Sequence, residues 1–171
     1  MGEDREPDGG RDLTPPPPRI VDGVLYGADV PVARWVERRV AGYTLHGGER
    51  ALGVLRGEKL VAGVIYDRFN GIHIEATIAA EAGSAWARRA VLRHLFGYPF
   101  HQLGCLAISV VVPSTNLASL NLATKLGFTP EAIVRFAAHD GSSLVVLKMF
   151  RDNCKWIGDH GQEEQQGTGG A

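Results

Sequence analysis

Residues 105–135 read CLAISVVVPSTNLASLNLATKLGFTPEAIVR, and no other stretch restricts the fold as much. The apolar run 106–112 has the length of a buried strand and stops at Pro113. Asn116 opens a segment of helical spacing that closes on Lys125-Leu126-Gly127-Phe128. A turn at Thr129-Pro130 leads into a second β-prone stretch. Strand, helix and strand in that succession belong to an α/β architecture.

The segments before and after extend the pattern. Residues 20–25 read as a first strand, and Val32, Ala33, Val36 and Val40 recur at helical spacing. Two β-prone runs, 51–55 and 60–66, flank Arg56-Gly57-Glu58-Lys59, a hairpin turn with glycine at its centre. Asn70-Gly71 supplies another tight turn, where hairpins need positive φ. Beyond it Ile72, Ile74, Ala76 and Ile78 alternate with His73, Glu75, Thr77 and Ala79, so this strand has one apolar and one polar face. Gly83-Ser84-Ala85 introduces a helix to about Phe96, with Val91, Leu92, Leu95 and Phe96 inward, and Gly97 and Pro99 end it. Two last strands are expected near 132–138 and 144–149, joined by a turn at Asp140-Gly141. The sum is strand, helix, three antiparallel strands, helix, strand, helix and two strands.

At 171 residues, 44% of them hydrophobic and 22% charged, the chain suits one compact domain, expected over residues 20–157. Residues 1–19 are charged, Gly-rich and finish in four prolines, which reads as an extended, disordered arm. Residues 158–171 read as a disordered tail. A net charge of −1 carries no overall electrostatic footprint for nucleic acid or an anionic membrane. Cys105 and Cys154 cannot form a disulfide framework, and the N-terminus lacks a charged n-region with an apolar h-region, so a reduced cytoplasmic setting is expected. No apolar run approaches the roughly 18 residues of a membrane span. No metal-ligand spacing stands out. Cys105, opening an apolar strand, is expected to be buried, and Cys154, near Trp156, to be more exposed.

The strand, the Asn-led helix, Lys125-x-Gly127-Phe128 and the returning strand resemble the second half of the GNAT fold, that of a superfamily of N-acetyltransferases. The full order of elements is similar to a GNAT domain. The resemblance implies a mixed, mostly antiparallel sheet, splayed between its fourth and fifth strands and flanked by helices, with acetyl-CoA as co-substrate. The family's pyrophosphate signature is Gln or Arg, two residues, Gly, one residue, then Gly or Ala, set where a helix N-terminus offers unpaired N–H groups and a favourable dipole end. Ala80-Glu81-Ala82-Gly83-Ser84-Ala85 keeps the Gly and the final small residue. Ala80 stands in place of the basic or amide residue, and Glu81 adds a like charge.

On this resemblance Ala82, Gly83, Ser84 and Ala85 would hold the pyrophosphate, with Arg88 and Arg89 supplying the missing positive charge. An ordinary helix cap with solvated surface arginines is the other reading. Thr77, Ile78 and Ala79 would bind the pantetheine amides in the gap between strands 72–79 and 106–112. Asn116 matches the family asparagine that contacts the pantetheine, and it equally fits a plain N-cap. Ser119 shares its helix line.

Acetyl transfer to an amine needs a neutral nucleophile, a stabilised oxyanion and a proton for the leaving thiolate. The tyrosine that many family members carry seven residues after the asparagine is Ala123 here. The proton must come from elsewhere or from solvent, and Tyr43, Tyr66, Tyr98 and Ser114 are unranked candidates. The N–H of Ile78 would polarise the thioester carbonyl. His73 and Glu75 are the base candidates, because polar groups on a central strand cost energy unless they line a cleft or are paired. Glu75 could orient or assist His73, or bind the amine; otherwise His73 is merely wet at a hairpin end. His46, in a Gly-rich connection, reads as structural or solvated.

Several phrases also resemble a group of GNAT-like proteins encoded by bacteriophages and prophages: Tyr66-Asp67-x-Phe69-Asn70-Gly71, Trp86 with Arg88 and Arg89, and Phe96-Gly97-Tyr98-Pro99-Phe100-x-Gln102-Leu103-Gly104. Such a protein would work in the host cytoplasm. Three functions follow from the resemblance. The first is an acyltransferase that moves acetyl from acetyl-CoA to a primary amine of a small molecule or protein by direct attack in a ternary complex, with a homodimer compatible. The second is a Mom-like nucleobase (DNA) modification enzyme, which needs Arg34, Arg38, Arg39, Arg88, Arg89 and Arg93 to converge on one cationic face. The third is a catalytically silent fold that binds CoA or a protein, which Ala80 and Ala123 favour.

Overall fold

The computed structural model describes residues 16–158, so the arm and tail expectations for residues 1–15 and 159–171 lie outside the described residues. The first half of the chain is a meander built by its turns. β1 (Arg19–Val21) and β2 (Val24–Tyr26) pair antiparallel, so the single strand expected over 20–25 is a hairpin. Asp22 and Gly23 turn it with φ of 53° and 84°, the positive pair that a two-residue hairpin demands. After α1 (Asp29–Glu37) come β3 (Arg50–Arg56), β4 (Lys59–Asp67) and β5 (His73–Ala80), each antiparallel to the one before.

The second half holds α2 (Arg89–Gly97), β6 (Ala107–Pro113), α3 (Leu117–Leu126), β7 (Thr129–Val134) and β8 (Leu144–Phe150). One sheet results, in the order β1-β2-β3-β4-β5-β6-β8-β7, and only β5 and β6 run parallel. β7 begins earlier than expected and takes in Thr129 and Pro130. A proline is tolerated there because β7 is the edge strand.

Alternation assigns the helices to faces. Ile65 and Ala79 pack under Val32, Val36 and Trp35 of α1. Val64, Tyr66, Ile74 and Ala76 pack on the other side with Val91, Leu92, Leu95 and Phe96 of α2, and with Ala123 and Leu126 of α3. Gly53 and Gly63 let α1 approach closely: a Cβ on Gly63 would lie 2.7 Å from Val36 Cγ2. Asn116 caps α3, its side chain accepting from the Ser119 amide at 3.1 Å, and Gly127 ends the helix with φ of 107°.

The end of α2 has a specific cause. Pro99 has no N–H to offer the carbonyl of Leu95, four residues earlier, and the helix relaxes into a π-turn over Tyr98–Gln102. The fully buried Tyr66 hydroxyl donates to that Leu95 carbonyl instead, at 2.7 Å. Both thiols are buried, including Cys154, which was expected to be more exposed. No described helix is long and apolar enough to cross a membrane.

Candidate functional site

β5 and β6 pair over three residues only, His73 with Ala107, Ile74 with Ile108 and Glu75 with Ser109. Past that last rung β5 continues to Ala80 along β4, and β6 continues to Pro113 along β8, with no pairing between them. This is the splay that the family resemblance implied between the fourth and fifth strands, numbered β5 and β6 here because the first expected strand is a hairpin. Peptide groups alternate along a strand. Because the Ile72 carbonyl accepts from Leu106, and the Glu81 amide donates to Val61 on the β4 side, the backbone groups of Ala76, Ile78 and Ala80 point into the gap. Of Thr77, Ile78 and Ala79, therefore, only Ile78 offers its backbone there; Thr77 and Ala79 turn theirs to β4. An apolar cavity of about 20 Å³ lies beneath, among Ala76, Ile78, Trp86, Ile108 and Phe128.

The loop at the open end of the gap departs from expectation. Residues 84–88 are irregular and α2 starts at Arg89, not beside Gly83. Ala85 has φ of 47°, which an alanine adopts only with strain, and Arg88 at the N-cap position provides no side-chain cap. Arg56 fixes the loop by donating from Nε to the Ser84 carbonyl at 3.2 Å and from Nη2 to that of Ala85 at 3.0 Å. The like charge of Glu81 is answered by Lys59 Nζ at 2.7 Å and Arg39 at 3.7 Å. The Arg88 guanidinium lies against the β1–β2 turn, where a Cβ on Gly23 would come within 3.2 Å of its Nη2. Ala82, Gly83 and Arg89 are exposed, and a Cβ on Gly83 would meet nothing within 4 Å.

At the closed end, His73 and Glu75 share the α1 face as predicted, and neither is simply wet. Arg68 Nη1 donates to both Glu75 carboxylate oxygens, at 3.2 and 3.1 Å. His73 Nε2 lies 2.6 Å from Ser109 Oγ. Register continues the row, since Ser109 faces Lys148 of β8, whose Nζ lies 3.3 Å from Glu131. Burial, and after it the Lys148 ammonium, pushes the His73 pKa below its ordinary value, against an opposing pull from Glu75. The shift favours the neutral imidazole.

Asp67 stands opposite Glu75 on β4 and accepts from the Tyr43 hydroxyl at 2.9 Å. Burial and that hydrogen bond push the Tyr43 pKa up. The second Asp67 oxygen is buried and has no partner among the described residues. Beside it opens a cleft of about 470 Å³, lined by Glu49, Arg50, Tyr66, Asp67, Arg68 and Tyr98 among others. His46 stays in an exposed loop that Glu49 closes by accepting from the amides of His46 and Gly47. Ser109 and Arg68 were not singled out in the sequence, and Asp67 only as part of a resembling phrase with no role attached: a lone serine inside LAISVVV carries no pattern, and an ion pair across a turn has no spacing rule.

No family model matches the chain, and no curated protein matches it in sequence. Its fold is shared with solved acetyltransferases. The spermidine N-acetyltransferase of Vibrio cholerae, in complex with CoA and spermine, superposes with a TM-score of 0.56 at 18% identity, over 66% of this chain and 70% of that one. The ribosomal-protein-S5-alanine acetyltransferase of Vibrio fischeri gives 0.52 at 16%, over 64% and 66%. A GNAT-family acetyltransferase of Bacillus anthracis gives 0.51 at 13%, over 60% and 66%. At such identities the likeness is one of fold, and the fold is that of the GNAT acetyltransferases.

Proposed function

We propose that the protein transfers an acetyl group from acetyl-CoA to a primary amine, by direct attack within a ternary complex. The observation that carries this reading is the gap between β5 and β6, with a polar row, Arg68–Glu75 and His73–Ser109, at its closed end. Five steps of strand separate Glu75 from Ala80, about 17 Å at the usual rise. That is the order of length of an extended pantetheine arm. A cofactor entering at the Gly83 loop would bring its thioester toward the row, with its pantetheine passing the gap-facing backbone of Ile78 on the way. The amine would enter through the cleft beside Asp67 and Arg68, and Glu75 or neutral His73 would take its proton.

Ala82, Gly83, Ser84 and Ala85 remain the pyrophosphate candidates, with Arg89 the freer of the two arginines. Asn116 already spends its side chain on the Ser119 amide, which leaves both residues a supporting role along the pantetheine. The nucleobase reading is the weaker one. Arg34, Arg38 and Arg39 ride on or just after α1, Arg88, Arg89 and Arg93 at α2, and those helices lie on opposite faces of the sheet. Calorimetric titration with acetyl-CoA tests the reading, followed by mass analysis of spermine, an alanine-initiated peptide and nucleosides after incubation. Failure to bind acetyl-CoA sinks it, and binding without an acetylated product leaves a silent scaffold.

A further inference from the structure

We propose that Ser109 is the proton donor to the leaving thiolate and that His73 recharges it; this rests on the acetyl-transfer reading above. Ser109 is the buried polar side chain in an otherwise apolar run of β6, and it sits on the last rung before the gap opens. A hydroxyl in such a strand costs free energy unless it is bonded, and its bond is to His73 Nε2 at 2.6 Å. Two of the competing hydroxyls are engaged elsewhere. Tyr43 donates to Asp67, Tyr66 donates to the Leu95 carbonyl, and α3 carries the buried Ala123 where the family has a tyrosine.

The groups around the pair suit a relay. Burial, and after it Lys148 on β8, favours the neutral imidazole, in which one ring nitrogen is bare. Glu75, on the same strand, is held away by Arg68. With Nε2 protonated toward Ser109, the amine nitrogen attacks the thioester carbonyl carbon and passes its surplus proton to Nδ1 of His73. The carbon–sulfur bond breaks, the Ser109 hydroxyl proton goes to sulfur, and the Nε2 proton moves to Ser109 Oγ. Serine ends as it began, and the imidazole ends as its other neutral tautomer, which water resets. The products are an amide and a free thiol.

The test compares Ser109→Ala with wild type on acetyl-CoA and on the acetyl thioester of nitrothiophenol, whose thiolate leaves without help. Thiol release is followed with spermine and with any other amine acetylated in the screen above. Ser109→Ala should lose about 100- to 10,000-fold with acetyl-CoA, lose little with the nitrothiophenyl thioester, and bind acetyl-CoA as wild type does in calorimetry. Ser109→Thr, which keeps a hydroxyl, should recover most of the rate. Equal losses on both thioesters, or no loss on either, overturn the proposal, and so does a wild-type protein that binds acetyl-CoA but releases no thiol. Absence of acetyl-CoA binding by wild type would instead strike the acetyl-transfer reading itself.

Discussion

Arg68 holds both oxygens of Glu75, and it does so from a backbone φ of 53°, a conformation that a non-glycine residue adopts at a cost. The turn between β4 and β5 thus spends strain to aim a guanidinium at a carboxylate on the neighbouring strand. Such strain has meaning where it orders a reactive group.

Glu75→Gln keeps the shape of the side chain and removes its charge and basicity. If Glu75 positions or deprotonates the acceptor, transfer should fall about 100- to 10,000-fold while acetyl-CoA affinity stays nearly unchanged. Steady-state turnover and calorimetry on one preparation decide it. Full activity would make the carboxylate structural, and a joint loss of fold and binding would make it a pairing residue for Arg68.

Gly83→Glu should weaken acetyl-CoA binding without unfolding the protein. Gly83 has φ of 69° and open space where a side chain would project, so the cost to the fold is the positive φ alone, about 1–2 kcal/mol. The new bulk and negative charge would fall where the phosphates approach. Unchanged affinity with unchanged circular dichroism would remove this loop from the cofactor site.

The row at the closed end predicts opposite shifts for one histidine. The His73 pKa is held below the ordinary value of about 6.5 by burial and then by Lys148, and raised in part by Glu75. Between the two values the unfolded chain binds the extra proton, so stability rises with pH in that window and is lost as pH falls through it. Lys148→Met should move the His73 titration up, and Glu75→Gln should move it down. NMR titration of the imidazole ring protons reads both, and shifts of one sign would contradict the arrangement.

Tyr66→Phe isolates the bond that replaces the missing Pro99 donor. The Leu95 carbonyl would be left buried without it, at a cost of about 1–3 kcal/mol. Urea unfolding should show a lower midpoint with an unchanged slope. An unchanged midpoint would mean that water or a shift of the π-turn satisfies the carbonyl.

The parts of the fold that were legible in the sequence are those with a local cause. Period two marks β5, Asn70-Gly71 and Gly57 mark turns, and Asn116 and Gly127 bound α3. The start of α2 was misplaced because Arg88 caps nothing and the alanines between 79 and 90 carry no stop signal. The Asp22-Gly23 turn was absorbed into a run too short to show two strands. At the site, His73 and Glu75 stood out because alternation exposes polar residues on a central strand. Their partners did not, since Arg68, Ser109 and Lys148 meet them only through tertiary register.

Three rungs of parallel pairing join two halves of the sheet that are each antiparallel and each formed from one continuous part of the chain, 19–80 and 107–150. Within the second part β6 meets β8 across 31 to 43 residues, a separation like the 34 between His73 and Ala107 at the seam. Three paired positions resist opening at the seam, against six between β4 and β5 and seven between β6 and β8, so its amides should exchange with deuterium ahead of those in β4 and β8. The joint that carries the polar row is also where the two antiparallel halves of the sheet would part.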